Sequence, residues 1–127
     1  MAEKILVVED ELALQETLAY NLKKEGYTVV TVGDGRSALE SARKLKPDLI
    51  ILDLNMPEIS GIDMIEFLRR RPDTKNLPIV MLSSEAADSV VDKALELGAD
   101  SYVMKPVTIE ELEKAMASAF YKHLINQ

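Results

Sequence analysis

Five short apolar runs constrain this chain more than any other feature: Ile5 to Val8, Thr28 to Val30, Leu49 to Leu52, Ile79 to Leu82 and Tyr102 to Met104. Runs that are apolar at consecutive positions suit strands buried on both faces, as in a parallel sheet with helices above and below. The stretches between them repeat apolar residues at helical spacing: Leu14, Leu18 and Leu22; Ala38, Leu39, Ala42 and Leu45; Met64, Ile65 and Leu68; Ala94 and Leu95; Leu112, Met116 and Ala119. Strands are expected near 4–8, 27–32, 48–53, 78–83 and 101–104, each followed by a helix. Gly26 and Gly98 fall where helices should end, Gly33-Asp34-Gly35 where one should begin, and Pro72 and Pro78 bracket a loop.

This alternation predicts an α/β domain with a doubly wound parallel sheet, and the flavodoxin-like strand order 2-1-3-4-5 is a standard solution. With 127 residues the whole chain, 1–127, is expected to be one domain with no output domain, either standing alone or excised from a longer protein. The net charge of -7 opposes direct nucleic-acid binding, which rests on clustered Lys and Arg. Cysteine is absent, and the N-terminal apolar segment is too short for a signal peptide or membrane span, so the expectation is a cytoplasmic protein that does not enter a membrane.

In the 2-1-3-4-5 order the first and third strands lie side by side, which brings Glu9-Asp10-Glu11 next to Asp53 at the carboxyl end of the sheet. Unit charges at ~4 Å and an effective dielectric of ~20 repel by about 4 kcal/mol per pair, so converging carboxylates call for a counter-cation. Mg2+ suits a site with few carboxylate or carbonyl oxygens and room for water and phosphate. Asp53 is then a candidate nucleophile that attacks a phosphoryl group and forms an aspartyl phosphate. Lys105, which follows the last strand, is the candidate to neutralise the transferring oxygens, and Lys105-Pro106 is a candidate cis peptide. Ser83, at the end of the fourth strand, offers a hydroxyl to a phosphoryl oxygen. Taken singly, these are also an acidic helix start, a surface lysine and a satisfied strand-end hydroxyl; their convergence from four strand ends favours the chemical reading.

The combination resembles the receiver domain of two-component response regulators over nearly the whole chain. The resemblance is carried by Ile-Leu-Val-Val-Glu9-Asp10-Glu11, by Asp53-x-x-Met56-Pro57-x-x-x-Gly61, by Val-Met-Leu-Ser83-Ser84, by Gly98-Ala99-Asp100-Ser-Tyr102 and by Lys105-Pro106. It implies that Asp53 accepts a phosphoryl group from a histidine kinase or histidine phosphotransfer protein. It also implies that Asp10, Asp53 and the backbone carbonyl of Asn55 ligate Mg2+, with Glu9 assisting. Ser83 and Tyr102 would form the switch: the hydroxyl moves toward the phosphoryl group and the ring turns into the vacated space. Asn55 and Ser84 would flank the path of the attacking water and tune the phosphate lifetime. Ser83 stands where threonine is commoner, and Ser84 where a small apolar residue is commoner.

The same resemblance implies that a downstream protein reads the face running from the fourth to the fifth helix, here including Val90, Val91, Lys93, Glu96, Ile109 and Glu113. Relatives that dimerise through this face use charged residues, but Val91, Ser101 and Ala115 stand at such positions, so the resemblance does not by itself imply that dimer. His123, far in sequence from the acidic motifs, is expected at the surface. Three other readings compete. An aspartyl-phosphate phosphatase with an Asp-x-Asp motif needs its second aspartate as general acid, and Asn55 cannot serve. A nucleotide or flavin binder needs a phosphate-cradling first loop, which Glu9-Asp10-Glu11 opposes. A receiver-like binding module that is never phosphorylated stays open.

Overall fold

The computed structural model describes residues 3–56, 58–84 and 88–125; Pro57 of the Met-Pro motif and the terminal Gln127 lie outside them. Five strands alternate with five helices: β1 (Lys4–Val8), α1 (Leu12–Lys24), β2 (Thr28–Val32), α2 (Gly35–Leu45), β3 (Leu49–Asp53), α3 (Gly61–Arg70), β4 (Ile79–Ser83), α4 (Asp88–Leu97), β5 (Ser101–Met104) and α5 (Ile109–Ile125). All strand pairs are parallel and the sheet order is β2-β1-β3-β4-β5, the arrangement expected from the sequence. Three strands start one residue later than expected, leaving Tyr27, Asp48 and Pro78 as leads into them. Two of these leads still bond to the sheet: the Asp48 carboxylate accepts from Lys4 N–H at 2.7 Å, and Pro78 O accepts from Ile50 N–H at 2.9 Å.

The central strands β3 and β4 are buried at every residue, which explains why their sequences are apolar without alternation. One face of the sheet packs Leu6, Val8, Ile50, Leu52, Ile79 and Met81 against α2, α3 and α4. The other packs Ile5, Val7, Ile51, Val80 and Leu82 against α1 and α5, through Leu18, Leu22, Leu112 and Met116. Period-2 alternation of the strands therefore feeds two cores, and burying a side chain of this size contributes roughly 1.5 to 3 kcal/mol.

Local chemistry sets the helix ends. Asp34 accepts from Ser37 N–H at 2.7 Å to open α2, and Ser60 accepts from Asp63 N–H at 3.2 Å to open α3. Gly98 ends α4 with φ at +123°, and a Cβ there would lie 2.8 Å from Arg69 Cγ. Arg69 occupies that space because its guanidinium is anchored beneath: it donates to Leu77 O at 2.7 Å and Gly98 O at 3.0 Å and pairs with Asp100 at 3.1 Å.

Val91 is buried against the core and Val90 packs partly buried against it, as suits one apolar face of a short helix, because the α4 face that carries them turns toward the sheet. One sequence expectation is narrowed here. His123 is not a free surface residue: its Nε2 lies 2.9 Å from Asp100 Oδ2 and its side chain is only 21% exposed. The long reach of α5 back to the start of β5 brings it there, and the neighbouring Lys122 ammonium donates to Asp100 O.

Candidate functional site

Parallel register gathers four strand ends at one edge of the sheet. Val8 lies opposite Leu52 and Leu82 opposite Asp53, so the chain leaves β1, β3 and β4 at the same level. Glu9, Asp10 and Asp53 each place a carboxylate oxygen within 4.8 Å of the others, a group able to hold a metal ion. Glu9 and Asp53 are buried, and Asp10 is exposed at the rim.

The two buried acids differ in how their oxygens are satisfied. Asp53 Oδ1 accepts from Asn55 N–H at 3.0 Å and Oδ2 from the Lys105 ammonium at 3.1 Å. Glu9 Oε2 accepts from Glu11 N–H at 3.0 Å, but Oε1 is buried without a hydrogen bond, and Lys105 Nζ stands 3.3 Å away, out of bonding line. One ammonium thus faces two buried carboxylates. Burial pushes the Glu9 carboxyl up, and the nearby Asp53 carboxylate adds to this against the pull of Glu11 N–H and Lys105, to a pKa of about 7. Burial alone would lower the Lys105 ammonium, but its bond to Asp53 and the two negative charges prevail and raise it.

A hard divalent cation fits this donor set. It is all oxygen, it is short of positive charge, and its orphaned Glu9 oxygen points to a missing partner.

The loop after β3 is drawn tight to hold Asp53. Gly61 N–H bonds to Leu54 O at 3.1 Å, and a Cβ at Gly61 would lie 2.6 Å from Leu54 Cα and 2.9 Å from Asp53 O. The glycine in the motif is there for close backbone approach, which its spacing from Asp53 signals. Across the mouth, Asn55 Nδ2 donates to Ser84 Oγ at 2.9 Å and ties the β3-α3 loop to the end of β4. Ser83 is fully buried, and its carbonyl accepts from Lys105 N–H at 2.9 Å, which fixes the start of the β5-α5 loop. The Lys105–Pro106 peptide is cis.

Glu9, Asp10, Asp53 and Lys105 are therefore together, with Asn55, Ser83 and Ser84 around them. Tyr102 stands apart from the cluster: its ring is 45% exposed on the edge strand β5 and lines a groove of about 600 Å³ between α4 and α5, with Leu95, Met104 and Lys114. Gln15 was not foreseen. Its side-chain amide donates to Glu9 O at 2.8 Å and Val32 O at 3.2 Å, clamping the backbone that presents Glu9, and nothing distinguishes it in sequence from a surface helical glutamine.

The sequence model of the family described as the response regulator receiver domain matches residues 5–117. The chain is 46% identical over 112 residues to the phosphate regulon transcriptional regulatory protein PhoB of Rhizobium meliloti (strain 1021), covering 88% of this chain and 49% of that protein. It is 45% identical over 114 residues to the alkaline phosphatase synthesis transcriptional regulatory protein PhoP of Bacillus subtilis (strain 168), covering 88% of this chain and 46% of that one. The chain thus spans about half the length of the curated relatives it matches. Among solved structures, the chemotaxis response regulator CheY4 of Vibrio cholerae superimposes with a TM-score of 0.87 at 32% identity, over 94% of this chain and 99% of that one. By fold, by motif order and by these similarities, the chain belongs to the response regulator receiver domain family.

Proposed function

We propose that this receiver takes a phosphoryl group on Asp53 from a histidine kinase or histidine phosphotransfer protein, in the cytoplasm, and passes the signal to a protein partner. The observation that carries the reading is the buried Asp53 carboxylate with one oxygen on the Lys105 ammonium at 3.1 Å, beside Glu9 and Asp10. An Asp53 oxygen attacks the phosphorus of a phosphohistidine, the O–P bond forms as the P–N bond breaks, and the imidazole leaves with the released electron pair. Lys105 then bonds to the transferring oxygens, and Asn55 N–H holds the remaining carboxylate oxygen in place. Asp10, Asp53 and the carbonyl of Asn55, with Glu9 alongside, would hold Mg2+, whose charge neutralises the phosphoryl oxygens.

The readout follows from packing. The buried Ser83 hydroxyl is drawn toward the new phosphoryl oxygens by a charge-assisted hydrogen bond. The half-exposed Tyr102 ring moves inward in response, changing the groove between α4 and α5 that a partner meets.

The test is incubation with Mg2+ and a small acyl phosphate, read by intact mass. Wild type should gain one phosphoryl group and Asp53→Asn none; equal modification of both removes Asp53 as acceptor.

A further inference from the structure

A second groove lies on the opposite side of the sheet from α1 and α5. Between α2 and α3 runs a groove of about 470 Å³ whose apolar floor is Leu39 and Phe67. Phe67 is 42% exposed, although Met64, Ile65 and Leu68 of the same helix are buried in the core. Arg36, Arg43 and Lys44 rim the groove with Glu40 and Asp73, and the Arg71 guanidinium sits 5.5 Å from the Phe67 ring centroid. None of these residues belongs to the acidic cluster or to the groove lined by Tyr102.

The charge of this face runs against that of the chain. Residues 34–46 carry four basic and two acidic side chains and residues 61–75 four and three, so the two stretches are net positive in a chain of net charge -7. Lys44 is paired with Glu40 at 2.7 Å, but two of the arginines are loosely engaged: Asp73 is shared between Arg43 Nε and Arg71 Nε at 3.4 Å from each, and Arg71 Nε is buried without a hydrogen bond. A guanidinium pair already spanning one carboxylate at long range is suited to a second. The arginine-framed aromatic floor is the composition of a protein interface, and the net charge of -7 opposes a nucleic acid.

We infer that the α2-α3 groove docks an acidic segment of a partner protein, one that places an aromatic or branched apolar side chain on Leu39 and Phe67 between flanking carboxylates. This site works independently of Asp53, and the Asp53→Asn protein should bind equally well.

The test titrates the protein with a synthetic peptide of Glu and Asp around one central Phe, followed by amide chemical shifts in NMR. Saturable shifts should centre on α2 and α3 and weaken as salt rises. Affinity should fall about tenfold in Phe67→Ala, and about tenfold in the doubly substituted Arg43→Glu, Lys44→Glu protein, whose exposed changes leave the core intact. The peptide with Ala for Phe, or Gln for its acids, should bind weakly. The inference is overturned by absence of saturable shifts, by shifts centred elsewhere, or by equal binding of the Gln peptide. It is also overturned if a single-stranded oligonucleotide binds these residues as tightly, or if the free protein self-associates through Phe67.

Discussion

Glu9 should govern how the stability of the chelator-treated protein depends on pH. Its carboxyl is fully buried beside Asp53, and its pKa stands at about 7 in the fold against 4.5 ordinarily. Between those values the folded chain keeps a proton that the unfolded chain has released, so raising the pH favours unfolding. One pKa unit is about 1.4 kcal/mol, so the penalty is absent below pH 4.5, grows through the interval, and reaches about 3 kcal/mol above pH 7. Glu9→Gln keeps an oxygen for the Glu11 N–H, which bonds Glu9 Oε2 at 3.0 Å, but cannot ionise. Urea unfolding of both proteins in EDTA, from about pH 4 to about pH 8, reads Glu9 together with the Asp53 and Lys105 charges that it faces, because every titration remote from the cluster is shared. The stability of Glu9→Gln relative to wild type should climb with pH across the interval. Mg2+ at a hundred times its dissociation constant should return about 2.7 kcal/mol to wild type. A difference between the two proteins that stays constant with pH would refute the reasoning.

Other expectations concern the loops and the far end of the sheet. Gly61→Ala puts a Cβ 2.6 Å from Leu54 Cα, against backbone that cannot yield cheaply, and should lower stability by about 2 kcal/mol in urea unfolding, with an unchanged midpoint refuting it. Asn55→Met and Ser84→Ala should each change the decay rate of the aspartyl phosphate severalfold; because the two side chains share one 2.9 Å hydrogen bond, the double variant should fall short of the product of the singles. Arg69→Met removes one partner of Asp100, the guanidinium, where both side chains are mostly buried, and should destabilise by about 2 to 3 kcal/mol, read from the urea midpoint.

The strands were legible because burial on both faces removes polar residues from β3 and β4, leaving a mark in consecutive positions. Helix faces were harder to read. Val90 and Val91 look alike in sequence, but Val91 is buried while Val90 packs against the same core and stays partly exposed, and that difference depends on how the crossover lays α4 on the sheet. Polar contacts outside the cluster left no mark. Gln15 reaching Glu9 O and His123 reaching Asp100 each pair residues whose types are ordinary at the surface of a helix or turn.

The same contrast explains why the candidate site could be assembled on paper and its electrostatics could not. Strand order alone brings Glu9, Asp10, Asp53 and Lys105 to one edge, because each follows or ends a strand whose position the apolar runs dictate. How the charge is shared depends on burial and bond direction: burial raises the Glu9 carboxyl to about 7, and Lys105 donates to Asp53 while facing Glu9 Oε1 at 3.3 Å without a hydrogen bond. One ammonium between two buried carboxylates leaves the cluster short of positive charge, which is the electrostatic reason that it could hold a divalent ion.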